Sequence, residues 1–146
     1  MPYILLIEDN QANADMTIRI LESAGFTVEH SLRGFDGTRM ARLIRPDLIL
    51  LDLDLPDVNG QQVALVLIKQ LGGHNAPPIV AVTAKSGDAE MRVAARLGFS
   101  GFVSKPFRPE DLLTVINKLL QKAVKPIPEK QHELLENVAK PTPEKQ

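Results

Sequence analysis

The sequence contains no cysteine and carries almost no net charge, and both absences exclude classes of protein. Without cysteine, neither a disulfide framework nor a thiolate metal site can form. The 17 lysine and arginine residues are offset by 18 aspartate and glutamate residues, which gives a formal net charge of −1 at pH 7. A chain with this balance lacks the general basic surface typical of nucleic-acid-binding proteins, so we expect no direct nucleic-acid partner.

Long apolar runs and a basic leader are missing as well. The first residues, MPYILLIED, have none of the features of a signal peptide. No apolar stretch approaches the roughly 18 residues that a membrane span requires. With 146 residues, the chain is long enough to bury a core as one domain. We therefore expect a soluble, cytoplasmic domain without membrane insertion, which also fits the absence of cysteine.

Strand-like and helix-like segments alternate regularly along the chain. Apolar segments predict strands at residues 3–7, 27–31, 47–52, 79–83 and 101–104. Helical patterns lie near residues 11–24, 34–44, 60–71, 87–97 and 109–123. Helix ends that favour a left-handed residue are marked by Gly25, Gly72, Gly73 and Gly98. The alternation predicts an α/β fold built around a parallel sheet.

Chemically reactive side chains follow four of the predicted strands. The clearest case is the segment LILLDLDLPDVNG, in which an apolar run ends at Asp52 and continues into a turn. The other three strand ends carry Glu8 with Asp9, Thr83, and Lys105. Because parallel strands present their carboxyl ends at one edge of the sheet, we expect these side chains to converge there.

Three carboxylates at one sheet edge favour a divalent cation. Like charges a few ångströms apart resist simultaneous ionisation, and a hard cation such as Mg²⁺ relieves that repulsion. A carboxylate can also attack a phosphoryl donor and form an acyl phosphate, with Lys105 and Thr83 binding the phosphoryl oxygens. Taken singly, Asp9 could be a helix cap, Thr83 a strand residue and Lys105 a loop residue. Their joint occurrence predicts a site for a phosphoryl group and a metal.

These motifs resemble those of CheY-like receiver domains of two-component response regulators. The resemblance covers residues 3 to about 122 and rests on Glu8-Asp9, Asp52 with Pro56 and Gly60, Thr83-Ala84 and Lys105-Pro106-Phe107. It implies a doubly wound, flavodoxin-like (βα)5 fold with strand order 2-1-3-4-5 and helices on both faces of the sheet. The receiver domain would occupy residues 1–123.

The resemblance also implies a role for each site residue. Asp52 would accept a phosphoryl group from a histidine kinase or a histidine phosphotransfer protein, and Thr83 and Lys105 would bind its oxygens. Mg²⁺ (or Mn²⁺) would be held by Glu8, Asp9, Asp52 and the backbone carbonyl of Asp54. The domain would assist its own phosphorylation and dephosphorylation in signal transduction without being a turnover enzyme.

A switch and a rate-tuning pair follow from the same resemblance. Phosphorylation adds about 1.5–2 negative charges; Thr83 would move toward them and Phe102 would fill the vacated space. The face of helix 4, strand 5 and helix 5 would then change and engage a downstream target protein. We expect Asp54 and Lys85 to pair across the mouth of the site and to hinder hydrolysis of the acyl phosphate. Two unpaired, solvated charges are the alternative.

Residues 124–146 differ in composition from the rest of the chain. The pattern KPxPEKQ occurs at residues 125–131 and again at 140–146, and such proline density keeps a backbone extended, so we expect a mobile tail. A short helix docked through Leu134, Leu135 and Val138 is the alternative. The tail is too short for a DNA-binding output domain, so we expect a single-domain regulator that acts through protein contacts. A homodimer remains open.

The predicted third helix carries Leu65 and Ile68 roughly opposite its core stripe. They are either scattered surface residues or a docking patch.

Two other functional classes also remain open. Asp52 and Asp54 match the D-x-D pair of haloacid-dehalogenase-type phosphatases, but the downstream acidic pair of those enzymes is missing, since Arg92 stands where a second acid after Asp88 is needed. The other class is an interaction module that works without phosphorylation.

Overall fold

The structure is a computed structural model that describes residues 2–56, 58–85 and 87–123, with the backbone alone for residues 122 and 123. The strands are β1 (Tyr3–Ile7), β2 (Thr27–Ser31), β3 (Leu48–Asp52), β4 (Ile79–Thr83) and β5 (Gly101–Ser104). The helices are α1 (Gln11–Ser23), α2 (Gly34–Leu43), α3 (Gly60–Gln70), α4 (Asp88–Arg96) and α5 (Pro109–Ala123). The tail at 124–146 lies outside the described residues, so both interpretations of it remain predictions.

The predicted elements are confirmed, and their bounds agree to within one residue. All four glycines expected at helix ends have positive φ, from 62° at Gly73 to 111° at Gly72. The sequence pattern did not predict a short 3-10 helix at Gly73–Asn75, which follows α3. The guanidinium of Arg45 stabilises this turn by donating hydrogen bonds to the carbonyls of Leu71 and Asn75.

The five strands form one parallel sheet in the order β2-β1-β3-β4-β5, as the resemblance implies. Strand β1 pairs with β2 on one side and with β3 on the other, so the chain changes direction across the sheet between β1 and β3. Open α/β sheets bind ligands at the carboxyl end of the strands beside such a switch point. Ile7 is in register with Leu51, so Glu8 leaves β1 directly beside Asp52.

Side chains alternate between the two faces of the sheet and build two cores. The first core packs the sheet against α2, α3 and α4; it includes Leu5, Ile7, Ile49, Leu51, Ile79 and Ala81 with Ala41, Val63, Ala64, Leu67 and Ala94. The second packs it against α1 and α5; it includes Ile4, Leu6, Leu48, Leu50, Val80, Val82 and Val103 with Ala14, Leu21, Leu112 and Ile116. Because both faces are covered, the central strands read as continuous apolar runs.

Helix α3 corrects one expectation. Ile68 does not lie opposite the core stripe but packs against the first core. Its Cδ1 lies 2.7 Å from the point where a Cβ on Gly98 would stand, so the bare glycine backbone makes room for it. Leu65 is 48% exposed and remains a surface residue.

None of the helices in the described ranges combines the length and the apolar character needed to cross a lipid bilayer.

Candidate functional site

The site lies at the carboxyl edge of the sheet, where β1, β3, β4 and β5 end. Asp52 and Thr83 are the last residues of β3 and β4, while Glu8 and Lys105 directly follow β1 and β5. Three of these residues are almost fully buried: the exposed fraction is 4% for Glu8, 2% for Asp52 and 3% for Thr83. The strands that carry these residues are held from both sides by the cores, so the polar groups are presented from a rigid frame.

Lys105 joins two of the buried carboxylates. Its Nζ lies 3.1 Å from Asp52 Oδ2 and 3.5 Å from Glu8 Oε1. Burial acts to lower the pKa of Lys105, but the charge and hydrogen bond of Asp52, together with the charges of Glu8 and Asp54, outweigh it and raise that pKa. The ammonium therefore remains charged and compensates part of the buried negative charge.

The pKa of Glu8 is raised as well, but for a carboxyl group this favours the neutral form. Burial, followed by the hydrogen bond and negative charge of Asp52, raises the pKa of Glu8 to about 7. The backbone N–H of Asn10, which donates to Glu8 Oε2 at 3.2 Å, and the charge of Lys105 act against this increase. Near neutral pH, Glu8 thus retains a proton in part of the molecules, and a bound cation would displace that proton.

Three carboxylates fit the expected metal. Each of Glu8, Asp9 and Asp52 offers an oxygen, and the three oxygens lie within 4.8 Å of one another. Carboxylate oxygens are the ligands that Mg²⁺ prefers. The backbone N–H of Asp54 donates to Asp52 Oδ1 at 2.8 Å, which ties the chain just after β3 to the Asp52 carboxylate. The carbonyl of Asp54 as a further ligand remains a prediction.

The Asp54 side chain does not make the ion pair with Lys85 that the sequence suggested. Its Oδ1 accepts from Thr83 Oγ1 at 3.0 Å, and its Oδ2 accepts from the backbone N–H of Ala84 at 3.0 Å. In the parts of the chain described here, no ion pair joins Asp54 to the Lys85 ammonium. The end of β4 offers two donors at fixed positions, whereas an exposed lysine must lose side-chain entropy to pair.

Phe102 shares a face of the sheet with Thr83. It is in register with Ala81, and Thr83 lies two residues further along β4 on the same side. Phe102 packs partly buried against the first core. Together with Asp54 and Lys85, Thr83 and Phe102 line one cavity on the side of the sheet that α3 and α4 cover. The two proposed switch residues therefore adjoin the same space.

The loop between β3 and α3 is tightly built. Asn59 caps α3 by accepting from the backbone N–H of Gln61 at 2.8 Å. A Cβ on Gly60 would lie 2.8 Å from Leu53 Cα, so the two backbones are in close contact. The N–H of Leu53 donates to the carbonyl of Val82 at 2.9 Å and extends the pairing of β3 with β4. These contacts position the backbone directly after Asp52.

Sequence reasoning missed three contacts of the site. His30 Nε2 donates to the backbone carbonyl of Glu8 at 2.7 Å, and this contact depends on the pairing of β1 with β2. The N–H groups of Asn10 and Ala84 bind carboxylates through the backbone, which no side-chain motif reveals. The Thr83-Ala84 pair was the one available signal for the last of these.

Comparison with known proteins agrees with this geometry. Residues 4–117 match the response regulator receiver domain family. The chain belongs to this family. The transcriptional regulatory protein CreB of Escherichia coli (strain K12) is 33% identical to the receiver over 122 residues, which are 84% of this chain and 52% of CreB. The chain thus spans about half the length of this curated relative.

Solved structures show the same fold as this receiver. A CheY-like response regulator receiver domain protein from Methanospirillum hungatei JF-1 has a TM-score of 0.78 and 27% identity, over 86% of this chain and 98% of that one. The receiver domain of the sensor histidine kinase PA1611 from Pseudomonas aeruginosa PAO1 has a TM-score of 0.74 and 28% identity, over 82% of this chain and 98% of that one. That structure contains a magnesium ion coordinated in its active site cleft.

Proposed function

We propose that this receiver is a phosphoacceptor in which Asp52 takes a phosphoryl group from a phosphohistidine of a histidine kinase or phosphotransfer protein. The observation that carries the proposal is the position of Asp52. Its carboxylate is buried at the carboxyl end of β3, lies 3.1 Å from the Lys105 ammonium and belongs to the acidic group that fits a divalent cation.

The chemistry follows from these neighbours. An oxygen of Asp52 attacks the phosphorus, the O–P bond forms, the N–P bond of the phosphohistidine breaks, and its electron pair returns to the imidazole nitrogen. Lys105 and the Thr83 hydroxyl stabilise the charge on the transferring oxygens. Mg²⁺, held by Glu8, Asp9, Asp52 and the Asp54 carbonyl, would supply further charge neutralisation when bound.

The added charge would act on the face formed by α4, β5 and α5. Thr83 would turn toward the phosphoryl group, and Phe102 would move into the cavity that both residues line. Met91 and Val93 of α4 are exposed by 49% and 43%, and they would offer apolar contacts to a target protein that binds α4. Amide chemical shifts across residues 84–105 should change when the beryllofluoride mimic binds. Unchanged shifts there would contradict the switch.

Intact-mass spectrometry with Mg²⁺ and acetyl phosphate, or with a phosphorylated phosphotransfer protein, tests the acceptor. The wild type should gain one phosphoryl adduct, and Asp52→Asn should gain none. Asp47→Asn is the matched control, because Asp47 precedes the same strand at its other end and is exposed. A wild type that stays unmodified while a receiver of known activity is labelled in parallel would refute the proposal and favour the phosphorylation-independent interaction module.

The phosphatase alternative needs the Asp54 carboxylate as a free general acid and base. That carboxylate is instead bound to the Thr83 hydroxyl and the Ala84 N–H. The acidic partners of Asp52 also lie upstream, at Glu8 and Asp9. Repeated turnover of a phosphomonoester, abolished in Asp54→Asn, would favour the phosphatase.

A further inference from the structure

Asp54 bridges the ends of β3 and β4 through its backbone and its side chain. Its backbone N–H is bound to the Asp52 carboxylate at 2.8 Å, while its own carboxylate accepts from Thr83 Oγ1 and from the Ala84 N–H, each at 3.0 Å. Thr83 Oγ1 is further held by the backbone N–H of Lys85 at 3.1 Å. Two donors at the end of β4 therefore converge on a single anion, which stands beside the phosphoacceptor.

The Thr83 hydroxyl and the Ala84 N–H cannot both donate fully to the Asp54 carboxylate and to a phosphoryl group on Asp52 at the same time. A threonine hydroxyl has one O–H to donate, and a backbone amide has one N–H. A phosphoryl group on Asp52 would need the Thr83 hydroxyl while the Asp54 carboxylate already holds it. The Asp54 carboxylate thus occupies donors that the modified Asp52 would otherwise use.

Charge adds to this competition. An aspartyl phosphate carries about 1.5–2 negative charges, and the Asp54 carboxylate carries one more within the same small region. Since Lys105 already interacts with Asp52 and Glu8, its charge is shared before any phosphoryl group arrives. Repulsion between the phosphoryl group and Asp54 would favour release of the two β4 donors.

We propose that Asp54 is a positioning residue that holds the Thr83 hydroxyl and the Ala84 N–H in the unphosphorylated domain and must release them when Asp52 is modified. This inference rests on the proposed function, since it treats Asp52 as the acceptor. It makes the Asp54 carboxylate an internal competitor of the phosphoryl group. Through Thr83, it also opposes movement of Phe102 into the shared cavity.

Beryllofluoride binding in the presence of Mg²⁺ measures the competition. In the wild type, mimic binding must first break charge-assisted hydrogen bonds to Asp54, which are stronger than neutral ones. Asp54→Ala has no such bonds to break, so it should lower the Kd for the mimic about tenfold. Asp54→Asn should lower it less, because the amide oxygen can still accept one of the two donors. Asp88→Asn is the charge control, since Asp88 is an exposed acid in the first turn of α4. An equal or higher Kd in Asp54→Ala would overturn the inference.

A double-mutant cycle separates this contact from general repulsion. In a Thr83→Ala background, the gain from Asp54→Ala should shrink at least about threefold, because only the Ala84 donor is left to release. The gain in the wild-type background should also persist at high salt, where interactions between exposed charges are screened. A gain that is the same in both backgrounds, or that disappears at high salt, would show repulsion alone and contradict the inference.

The contact itself can be tested without metal or mimic. The Ala84 amide resonance should shift in Asp54→Ala and keep its wild-type position in Asp88→Asn, and an unchanged resonance in Asp54→Ala would contradict the inference. If the wild type binds no mimic and gains no phosphoryl adduct, the proposed function and this inference fail together. If it does both and Asp54→Ala binds the mimic no more tightly, the inference fails and the proposed function stands.

Discussion

Glu8 should make the metal-free domain less stable as the pH rises from about 4.5 to 7. Burial and the neighbouring Asp52 raise the pKa of Glu8 from 4.5 to about 7 in the folded state. Between these values the folded state binds a proton that the unfolded state has released, so stability falls with increasing pH. At 1.36 kcal/mol for each tenfold change in proton affinity, the loss amounts to roughly 3 kcal/mol once the pH exceeds 7.

Urea unfolding in the presence of a chelator, at several pH values between 4.5 and 8, measures this loss. Glu8→Gln keeps the size and hydrogen-bonding capacity of the side chain but removes its titration. The variant should therefore equal the wild type near pH 4.5 and exceed its free energy of unfolding by up to about 3 kcal/mol at pH 8. Mg²⁺ should restore much of the wild-type stability at pH 8, because a bound cation replaces the lost proton.

Other groups that face Glu8 also affect the free energy of unfolding of the domain, so the comparison needs a matched control. Asp52 and Lys105 contact the carboxylate, and His30 binds its backbone carbonyl. Glu22→Gln changes an exposed glutamate of α1 and should leave the wild-type pH dependence intact. If wild type, Glu8→Gln and Glu22→Gln lose stability in parallel between pH 4.5 and 8, the buried and raised titration of Glu8 is refuted.

Three further outcomes are expected. Asn59→Ala removes the cap of α3 and should lower the free energy of unfolding by about 1 kcal/mol in urea; an unchanged value would count against the cap. Gly60→Ala places a Cβ 2.8 Å from Leu53 Cα and should cost about 1–3 kcal/mol in the same assay, whereas wild-type stability would show that the loop yields freely. Lys105→Met should bind Mg²⁺ more tightly in calorimetry, because the competing ammonium cation is gone. The same variant should bind beryllofluoride about ten- to a hundredfold more weakly. Affinities for Mg²⁺ and beryllofluoride that both rise or both fall would contradict the role of Lys105.

Most of the fold could be predicted from the sequence because its signals are local. Within the part of the chain that the structure describes, apolar runs, amphipathic periods and glycines at helix ends predicted each α-helix and strand to within one residue. The 3-10 helix at Gly73–Asn75 was missed, since three residues carry no periodicity. Ile68 was misplaced because its neighbour, Gly98, lies 30 positions away and offers space instead of a side chain to pack against.

The candidate site was predictable in membership but not in its contacts. Glu8, Asp52 and Thr83 stand at or beside the ends of buried strands, and parallel strands bring such positions together. The partner of Asp54 could not be predicted in this way. The resemblance to receiver domains suggested Lys85, whereas in the structure the Asp54 carboxylate accepts hydrogen bonds from the Thr83 hydroxyl and the Ala84 N–H.

The amino-acid sequence by itself determined which chemical groups stand at the edge of the sheet, because apolar periodicity and the ends of strands can be recognised from residues that are adjacent in the chain. Only the tertiary structure decided which donor meets which carboxylate and where a proton is retained. Hydrogen bonds and pKa values depend on distances of about 3 Å and on burial, and these arise only when strands far apart in the chain are packed side by side.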